Sequence, residues 1–502
     1  MGITMKPFTK GDRLKTALFA LLPFALLLSF FSGGIPGNDF WWHVKAGEYI
    51  CTHHAVPTTD VFSWWGTANG IPWTAHEWLS EVIYYALYAL TGELGVFLFC
   101  LAAAAALTYL LYRMNRRDAG RCPLLTALFF SFFAVMTASY CFGRPHLFSY
   151  FLLLLELKLL FDFAADPSRK RIFFLPLLSV LWSNLHGGSS NLSYLLPLLF
   201  LLVGCCRFEL GRLHADRLDK KARLTLAALT LLCVAAVFVN PIGVRVFLYP
   251  YQSLADGVSM TVISEWASPD PKVTVQLLQF FLPMALFSAF LFFDKEKPLR
   301  FIDLAVWACF LFLFLRSTRF SMLWYIAAPF CLFRYLPQTE DSPVDTRFGK
   351  SVYAAGCALL VLVSAGAIAR TAATAKNDRL ISVVLSDEAI EAVKADAPER
   401  LFNFYNYGEA LIFHDIPTFY DARADLFSPC GVLGDGWDFN NVRGDHWTGD
   451  GEFSVEALIE KYGFDAVLTS RSSSLAVYMA SHPERFTLLY EDDDTVYCRI
   501  VG

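Results

Sequence analysis

The sequence predicts a polytopic α-helical membrane protein of about 11 transmembrane helices that ends in an extracytoplasmic α/β domain. Of the 502 residues, 56% are hydrophobic and only 17% are charged, whereas a soluble chain carries about 25% charged residues. Apolar runs of about 16 to 22 residues recur along the chain. Residues 371–502 hold 23 acidic and 10 basic residues, and residues 1–370 hold 23 acidic and 31 basic residues. A basic membrane domain (1–370) therefore precedes an acidic soluble domain (371–502), and nothing in the chain indicates nucleic-acid binding.

Clusters of lysine and arginine assign the two sides of the membrane, because cytoplasmic loops are enriched in these residues. Two apolar runs separate each basic cluster from the next, which places the N-terminus in the cytoplasm and the C-terminal domain outside. The first outer loop is then 33–92, with an interfacial helix over 77–90. The predicted spans lie at about 16–32, 93–112, 123–141, 145–165, 172–186, 190–206, 224–240, 273–293, 301–315, 318–334 and 351–369.

The C-terminal domain shows short β-branched and aromatic runs that alternate with helical patterns. We expect strands at 401–405, 418–421, 465–469, 486–490 and 495–500, with a hairpin between the last two and a short helix over 454–462. The 12 cysteines show no metal-binding spacing. Cys430 and Cys498 could form a disulfide if this domain lies outside the cytoplasm.

The first outer loop is much longer than an ordinary connection between helices. Its segment 38–77 holds five tryptophans, and its titratable side chains include Asp39, His43, Asp60, His76 and Glu77. Titratable groups beside amphipathic rings favour a site at the membrane surface. An aromatic belt with incidental charges is the alternative.

Ten ionisable residues from several loops and helix ends fall on the predicted outer side, and ionisable residues near membrane depth are functional candidates. They are Asp39, His43, His76, Glu77, Arg144, His146, His186, Glu265, Arg316 and Arg319. We expect them to form one site, with acids for catalysis and arginines for an anion. That these residues lie on the same predicted side of the membrane does not by itself establish that they lie close together in the folded protein.

Individual roles follow from residue chemistry. Asp39 could act as a general base for a hydroxyl nucleophile or as a metal ligand. Arg316 and Arg319 are spaced one helical turn apart, so we expect them to share a face that binds phosphate; snorkelling to the interface is the alternative. Arg144 and His146 flank a proline that favours a helix start. His186 is either a substrate contact or a satisfied histidine at a helix end.

Several motifs resemble a bacterial family of GT-C-like integral membrane proteins, and this resemblance covers most of the chain. The motifs are DFWWHVKAGEYI (39–50), PTTDVFS (57–63), WTAHEWLSE (73–81), RPHLFSY (144–150), NLHGG (184–188), ISEWASP (263–269), YNYGEALIF (405–413) and YDARADLF (420–427). An aspartate just after the first span, many further spans and an outer soluble domain are also similar to the GT-C class of glycosyltransferases.

The resemblance implies a multi-pass glycosyltransferase of the bacterial inner membrane. It would transfer a hexose, a pentose or a glycan from a polyprenyl-phosphate-linked donor to a glycan, lipid or protein acceptor in cell-envelope assembly. Asp39 would be its catalytic acid residue. Many GT-C members have two acids there, whereas this chain has Asn38 before Asp39. A second acid would then be Glu77 or, failing that, Glu265, and a need for Mg²⁺ or Mn²⁺ stays open.

The soluble domain would cover the site or hold the acceptor. Its candidate residues are Asp421, Arg423 and Asp425, for which a turn stabilised by an internal ion pair is the alternative. The run 405–408 is loosely similar to an acceptor-binding motif of oligosaccharyltransferases, with Asn406 in place of its aspartate. Two other functions stay open: a transporter or flippase of lipid-linked glycans, and a non-enzymatic scaffold of envelope-glycan assembly.

Overall fold

The computed structural model describes residues 10–37, 39–293, 297–336, 379–449 and 452–501, together with positions 358, 362, 365, 366 and 369. Most of the described chain is helical, and a small sheet lies near the C-terminus. The predicted span at 351–369 falls almost entirely outside the described residues.

The first part of the chain is built from helices of very different lengths. They are α1 (Lys10–Phe31), α2 (Phe40–His53), α3 (Trp64–Ala68), α4 (Trp78–Ala119), α5 (Pro123–Tyr140), α6 (His146–Ala165), α7 (Leu175–Leu185), α8 (Leu192–Cys205), α9 (Lys220–Val237), α10 (Val244–Ala255), α11 (Gly257–Val262), α12 (Thr274–Gln276), α13 (Leu282–Ser288), α14 (Phe290–Phe293), α15 (Phe301–Arg316) and α16 (Ser321–Leu332). Three short strands, β1 (Phe208–Leu210), β2 (Leu213–Ala215) and β3 (Leu299–Arg300), form a sheet in that order.

Each of the ten predicted spans between residues 16 and 334 coincides with a helical run. Within the part of the chain that the structure describes, three runs are long and apolar enough to cross a membrane: Trp78–Ala119, Gly187–Cys205 and Thr274–Phe292. The number of crossings and the sides of the loops therefore stay predictions.

Helix α4 contains a break that the sequence analysis places at the same point. Gly92 has φ 64° and ψ −163° and divides the 42 residues into two helical pieces. A residue without Cβ adopts this backbone at low cost. The first piece corresponds to the predicted interfacial helix, and the second to the predicted span 93–112.

The C-terminal part forms an α/β unit around a four-stranded sheet of order β4-β5-β7-β6. Its strands are β4 (Leu401–Asn403), β5 (Ala466–Ser470), β6 (Phe486–Glu491) and β7 (Thr495–Ile500). Its helices are α17 (Asp387–Asp396), α18 (Gly408–Phe413), α19 (Ala424–Phe427), α20 (Val432–Asn441), α21 (Val455–Tyr462) and α22 (Ser474–Ser481). Strand β4 pairs parallel to β5, and β7 pairs antiparallel to both β5 and β6.

The structure tests two expectations for the C-terminal part, a strand at 418–421 and a disulfide between Cys430 and Cys498. The predicted strand at 418–421 is wrong, because this segment makes only an isolated bridge from Thr418 to Ser63 of the first loop. Cys430 and Cys498 are both free thiols, and Cys498 is buried in β7.

The first loop and the C-terminal unit share one hydrophobic core. Trp42 and Trp73 of the loop pack in the same cluster as Phe419 and Tyr420 of the C-terminal unit. Trp64 adds a hydrogen bond from its indole N–H to the carbonyl of Leu401 (3.0 Å). Burial of large aromatic rings on both partners stabilises this contact, so the C-terminal unit is held against the loop that contains the candidate acids.

Candidate functional site

A cavity of about 310 Å³ lies between the first loop, the helix ends and the C-terminal unit. Ten of the side chains predicted from the sequence line it: Asp39, His43, His76, Glu77, Arg144, His146, Glu265, Arg319, Arg423 and Asp425. His186 lines an adjoining cavity that shares His76, His146 and Arg319 with the first. The tertiary structure therefore brings together residues that are more than 350 positions apart in sequence.

Arg144 connects two carboxylates at the edge of this cavity. Its Nη2 lies 2.8 Å from Oδ2 of Asp39, and its Nη1 lies 2.9 Å from Oε1 of Glu265. Tyr84 fixes the same segment by donating its hydroxyl to the carbonyl oxygen of Arg144 (2.9 Å). The guanidinium thus sets the relative position of two acids from separate loops.

The two carboxyl groups differ in basicity. Burial raises the pKa of Asp39, and the nearby Arg144 only partly opposes this effect. Burial also acts to raise the pKa of Glu265, but the guanidinium groups of Arg144 and Arg319 hold it below its usual value. Asp39 is therefore the better proton acceptor of the pair, and Glu265 is its ionised companion.

Asp39 also has an uncommon backbone. It is the residue before α2, with φ 65° and ψ −25°. A left-handed conformation is uncommon at a residue other than glycine, and aspartate adopts it more readily than most residues. This conformation places the carboxylate at the cavity edge, where Arg144 binds it.

Arg319 also lines the cavity and contacts an imidazole. Its Nε donates to Nε2 of His146 at 2.9 Å, and its guanidinium carbon lies 4.7 Å from the ring centre of Trp266. Because a guanidinium only donates, Nε2 of His146 accepts and is unprotonated. Among the described residues, the ion-paired arginines of this cavity are Arg144 and Arg423, which each bind two carboxylates.

The expectation that Arg316 and Arg319 share a helical face is wrong. Helix α15 ends at Arg316, and Ser317 is extended with φ −159° and ψ 138°. Arg316 is exposed and outside the cavity, with Nη1 3.6 Å from the sulfur of Met260. The apolar run predicts the helix, but the sequence spacing does not show that it stops between the two arginines.

Three histidines surround the buried carboxylate of Glu77. Oε1 of Glu77 lies 3.3 Å from Nε2 of His186 and 3.6 Å from Nε2 of His76, and Oε2 lies 3.9 Å from Nε2 of His43. Burial raises the pKa of Glu77 to about 8 and lowers the pKa of His76 to about 3. Glu77 therefore has histidine neighbours, whereas Asp39 pairs with an arginine.

The predicted residues of the C-terminal unit form a buried ion-pair group with the first loop. Nη1 of Arg423 lies 2.7 Å from Oδ1 of Asp60, and its Nη2 lies 2.6 Å from Oδ2 of Asp421. Arg423 is 2% exposed and stacks on Trp73 at 4.7 Å. Asp421 faces Arg423 and does not line the cavity, which favours the internal ion-pair interpretation for it.

Sequence analysis missed several lining residues. Glu81 lies one helical turn after Glu77, and Glu409 follows the 405–408 run; both are buried. Tyr249 stacks on His76 with ring centres 3.7 Å apart. The i, i+4 spacing of Glu77 and Glu81 was a usable signal, whereas only the packing of the C-terminal unit brings Glu409 to the cavity.

The fold and the site together define a mostly helical protein with a cavity that is lined by buried, ionisable side chains and lies against a small α/β unit. No family model and no curated protein matches this chain. Among solved structures, it is similar to the crystal structure of ArnT from Cupriavidus metallidurans bound to undecaprenyl phosphate. That likeness has 14% sequence identity and a TM-score of 0.49, and it covers 99% of each chain.

Proposed function

We propose that this protein is a GT-C-type glycosyltransferase of the bacterial inner membrane. It moves a sugar from a polyprenyl-phosphate-linked donor to an acceptor hydroxyl on the outer face. The observation that carries this proposal is that Asp39 and Arg319 line the same cavity. Asp39 accepts the proton of the acceptor hydroxyl, and Arg319 supplies the positive charge that binds the phosphate of the donor.

Arg319 is suited to the donor phosphate because its protein partner is an uncharged imidazole nitrogen. Arg144 is already bound by two carboxylates, so an additional phosphate would compete with them. Planar guanidinium groups bind phosphate oxygens with directional, charge-assisted hydrogen bonds. The adjoining cavity, with Leu323 and Phe320 in its wall, offers an apolar path for the polyprenyl chain beside Arg319.

The reaction that this arrangement supports is a single displacement. The acceptor oxygen attacks the anomeric carbon while Asp39 takes its proton, and the bond from that carbon to the phosphate oxygen breaks. The electron pair stays on the departing polyprenyl phosphate, where Arg319 stabilises its charge. Glu265 keeps Arg144 in place, and Arg144 orients Asp39.

The test compares Arg319→Gln with Arg316→Gln, its exposed neighbour outside the cavity. Each variant and the wild type are incubated in detergent with a panel of polyprenyl-phosphate sugars, with and without Mg²⁺ or Mn²⁺. Mass spectrometry follows sugar transfer and free polyprenyl phosphate. We expect Arg319→Gln to weaken donor binding about 10- to 100-fold, since it removes a charge-assisted hydrogen bond, and Arg316→Gln to match the wild type.

Equal loss in both variants would contradict the assigned phosphate site. Donor binding without any turnover, with acceptor present, would favour a transporter of lipid-linked glycans. No binding of any donor would favour the scaffold function.

A further inference from the structure

We propose that His76, Glu77 and His186 form a divalent transition-metal site, with Zn²⁺ as the best-fitting ion. This site is separate from Asp39 and does not rest on the proposed transferase function. Its three ligand atoms, one from each side chain, all lie within 4.8 Å of one another. Two imidazoles and one carboxylate are a ligand set that zinc sites use with a fourth position open.

Two of the three separations are close to the edge of a coordination tetrahedron. Oε1 of Glu77 lies 3.3 Å from Nε2 of His186 and 3.6 Å from Nε2 of His76. Metal–ligand bonds of about 2.0–2.1 Å at tetrahedral angles place two ligand atoms about 3.3 Å apart. Direct hydrogen bonds between such groups would be about 2.7–3.2 Å long, so the geometry fits ligand edges better than hydrogen bonds.

The tautomer of His76 is determined by its second nitrogen. Nδ1 of His76 lies 3.1 Å from the carbonyl oxygen of Thr74, which can only accept, so Nδ1 carries the proton. Nε2 of the neutral ring then presents a lone pair toward the carboxylate oxygen of Glu77. A cation between these two atoms would bind the imidazole lone pair and the carboxylate oxygen together.

His186 has the supporting contacts that metal-binding histidines need. Its Nδ1 lies 2.7 Å from the hydroxyl of Ser149 and 2.8 Å from that of Ser189. Trp182 donates its indole N–H to both hydroxyls, at 2.8 and 3.0 Å. Such second-sphere hydrogen bonds orient the ring and direct Nε2 to the metal.

The neighbouring side chains of His43 and Glu81 give a second observation that favours a cation beside Glu77. His43 and Glu81 are each 1% exposed, and both Nδ1 of His43 and Oε2 of Glu81 lack a hydrogen-bond partner. Buried unpartnered groups of this kind are costly. A Cβ at Gly188 would stand 3.4 Å from Nε2 of both His76 and His186. The absence of a side chain at Gly188 therefore leaves space next to these two ligand atoms.

The test begins with the wild-type protein. Full-length protein is purified in detergent, stripped with a chelator, titrated separately with Zn²⁺, Mn²⁺ and Mg²⁺, and desalted before elemental analysis. We expect about one tightly held Zn²⁺ per chain and no comparable retention of Mg²⁺. Co²⁺ loading should give the intense visible bands of a tetrahedral site. A wild type that retains no zinc overturns the proposal, whatever its transferase activity.

Variants then assign the ligands. His186→Gln and Glu77→Gln should lose the zinc, and Ser149→Ala should weaken zinc binding about 10- to 100-fold through the orientation of His186. His146→Gln is the matched control, because its ring centre lies 4.3 Å from that of His186 but its Nε2 faces Arg319. Zinc retained by both ligand variants at the wild-type level would overturn the assignment. Monodisperse elution of each variant establishes that it is folded.

Discussion

Asp39 and Arg144 form an ion pair with Oδ2 2.8 Å from Nη2. This contact joins the start of α2 to the turn between α5 and α6, two segments that are about 100 positions apart in the chain. Because Arg144 also binds Glu265, the position of the candidate base depends on two other loops. The chemistry of the site is therefore expected to respond to changes at either end of this contact.

Replacing Asp39 with asparagine should abolish sugar transfer while donor binding is kept. The amide has nearly the shape of the carboxylate but cannot accept the acceptor's proton, and loss of a general base costs about 10²- to 10⁴-fold in rate. Turnover and donor affinity are measured in the mass-spectrometric assay. Asp415→Asn is the control, since Asp415 is 79% exposed and pairs with Lys45. Wild-type turnover by Asp39→Asn would contradict the assigned role.

Asp425 should make the folded protein less stable as the pH rises through about 6. Burial raises the pKa of its carboxyl to about 6 from an ordinary 3.8. The folded state thus prefers the protonated form, and this contribution is fully present below pH 3.8 and lost as the pH rises through the folded pKa. A shift of this size corresponds to about 3 kcal/mol.

The measurement for Asp425 is the unfolding midpoint from pH 4 to pH 8 in detergent. The Asp425→Asn variant should lose this pH dependence and gain stability over the wild type at the upper end, while Asp415→Asn should follow the wild-type curve. Parallel curves for the wild type and Asp425→Asn would show that this carboxyl is not the group responsible.

Removal of Arg423 should detach the C-terminal unit from the first loop. Arg423→Met leaves the carboxylates of Asp60 and Asp421 buried without their shared cation, and breaking a buried ion pair in this way costs about 3–5 kcal/mol. Thermal unfolding and limited proteolysis of the first loop report the effect. Arg471→Met breaks a surface pair with Glu491 and should change stability by about 1 kcal/mol or less. Similar effects in the two variants would refute the structural role of the buried group.

A methyl group at Gly47 should disrupt the packing of α2 on α4. A Cβ there would clash with the carbonyl oxygen of Glu81, whereas a Cβ at Gly257 would meet nothing within 4 Å. Overpacking of this kind costs about 1–3 kcal/mol, so Gly47→Ala should lower the melting temperature and Gly257→Ala should not. An unchanged melting temperature for Gly47→Ala would show that the two helices separate easily.

Local patterns predicted most of the helices and four of the five expected strands. Long apolar runs identify helices because a helix satisfies its backbone hydrogen bonds within its own segment, so the signal is local. The strand predicted at 418–421 was wrong because this segment contacts the first loop, where Thr418 makes an isolated bridge with Ser63. The shared face predicted for Arg316 and Arg319 was wrong because the helix ends at Arg316 and Ser317 is extended. No nearby glycine or proline indicates this helix end in the sequence.

The sequence by itself determined the helical class, the acidic C-terminal unit and the chemical types available for a site. It also indicated that Asp39, the histidines and Arg319 belong together, because charge in apolar surroundings is rare and must face a shared polar space. Only the tertiary structure decided which cation meets which carboxylate. Ion pairs and ligand sets depend on distances of a few ångströms between residues far apart in the chain, and these distances are set by the packing of whole helices and of the C-terminal unit on the first loop.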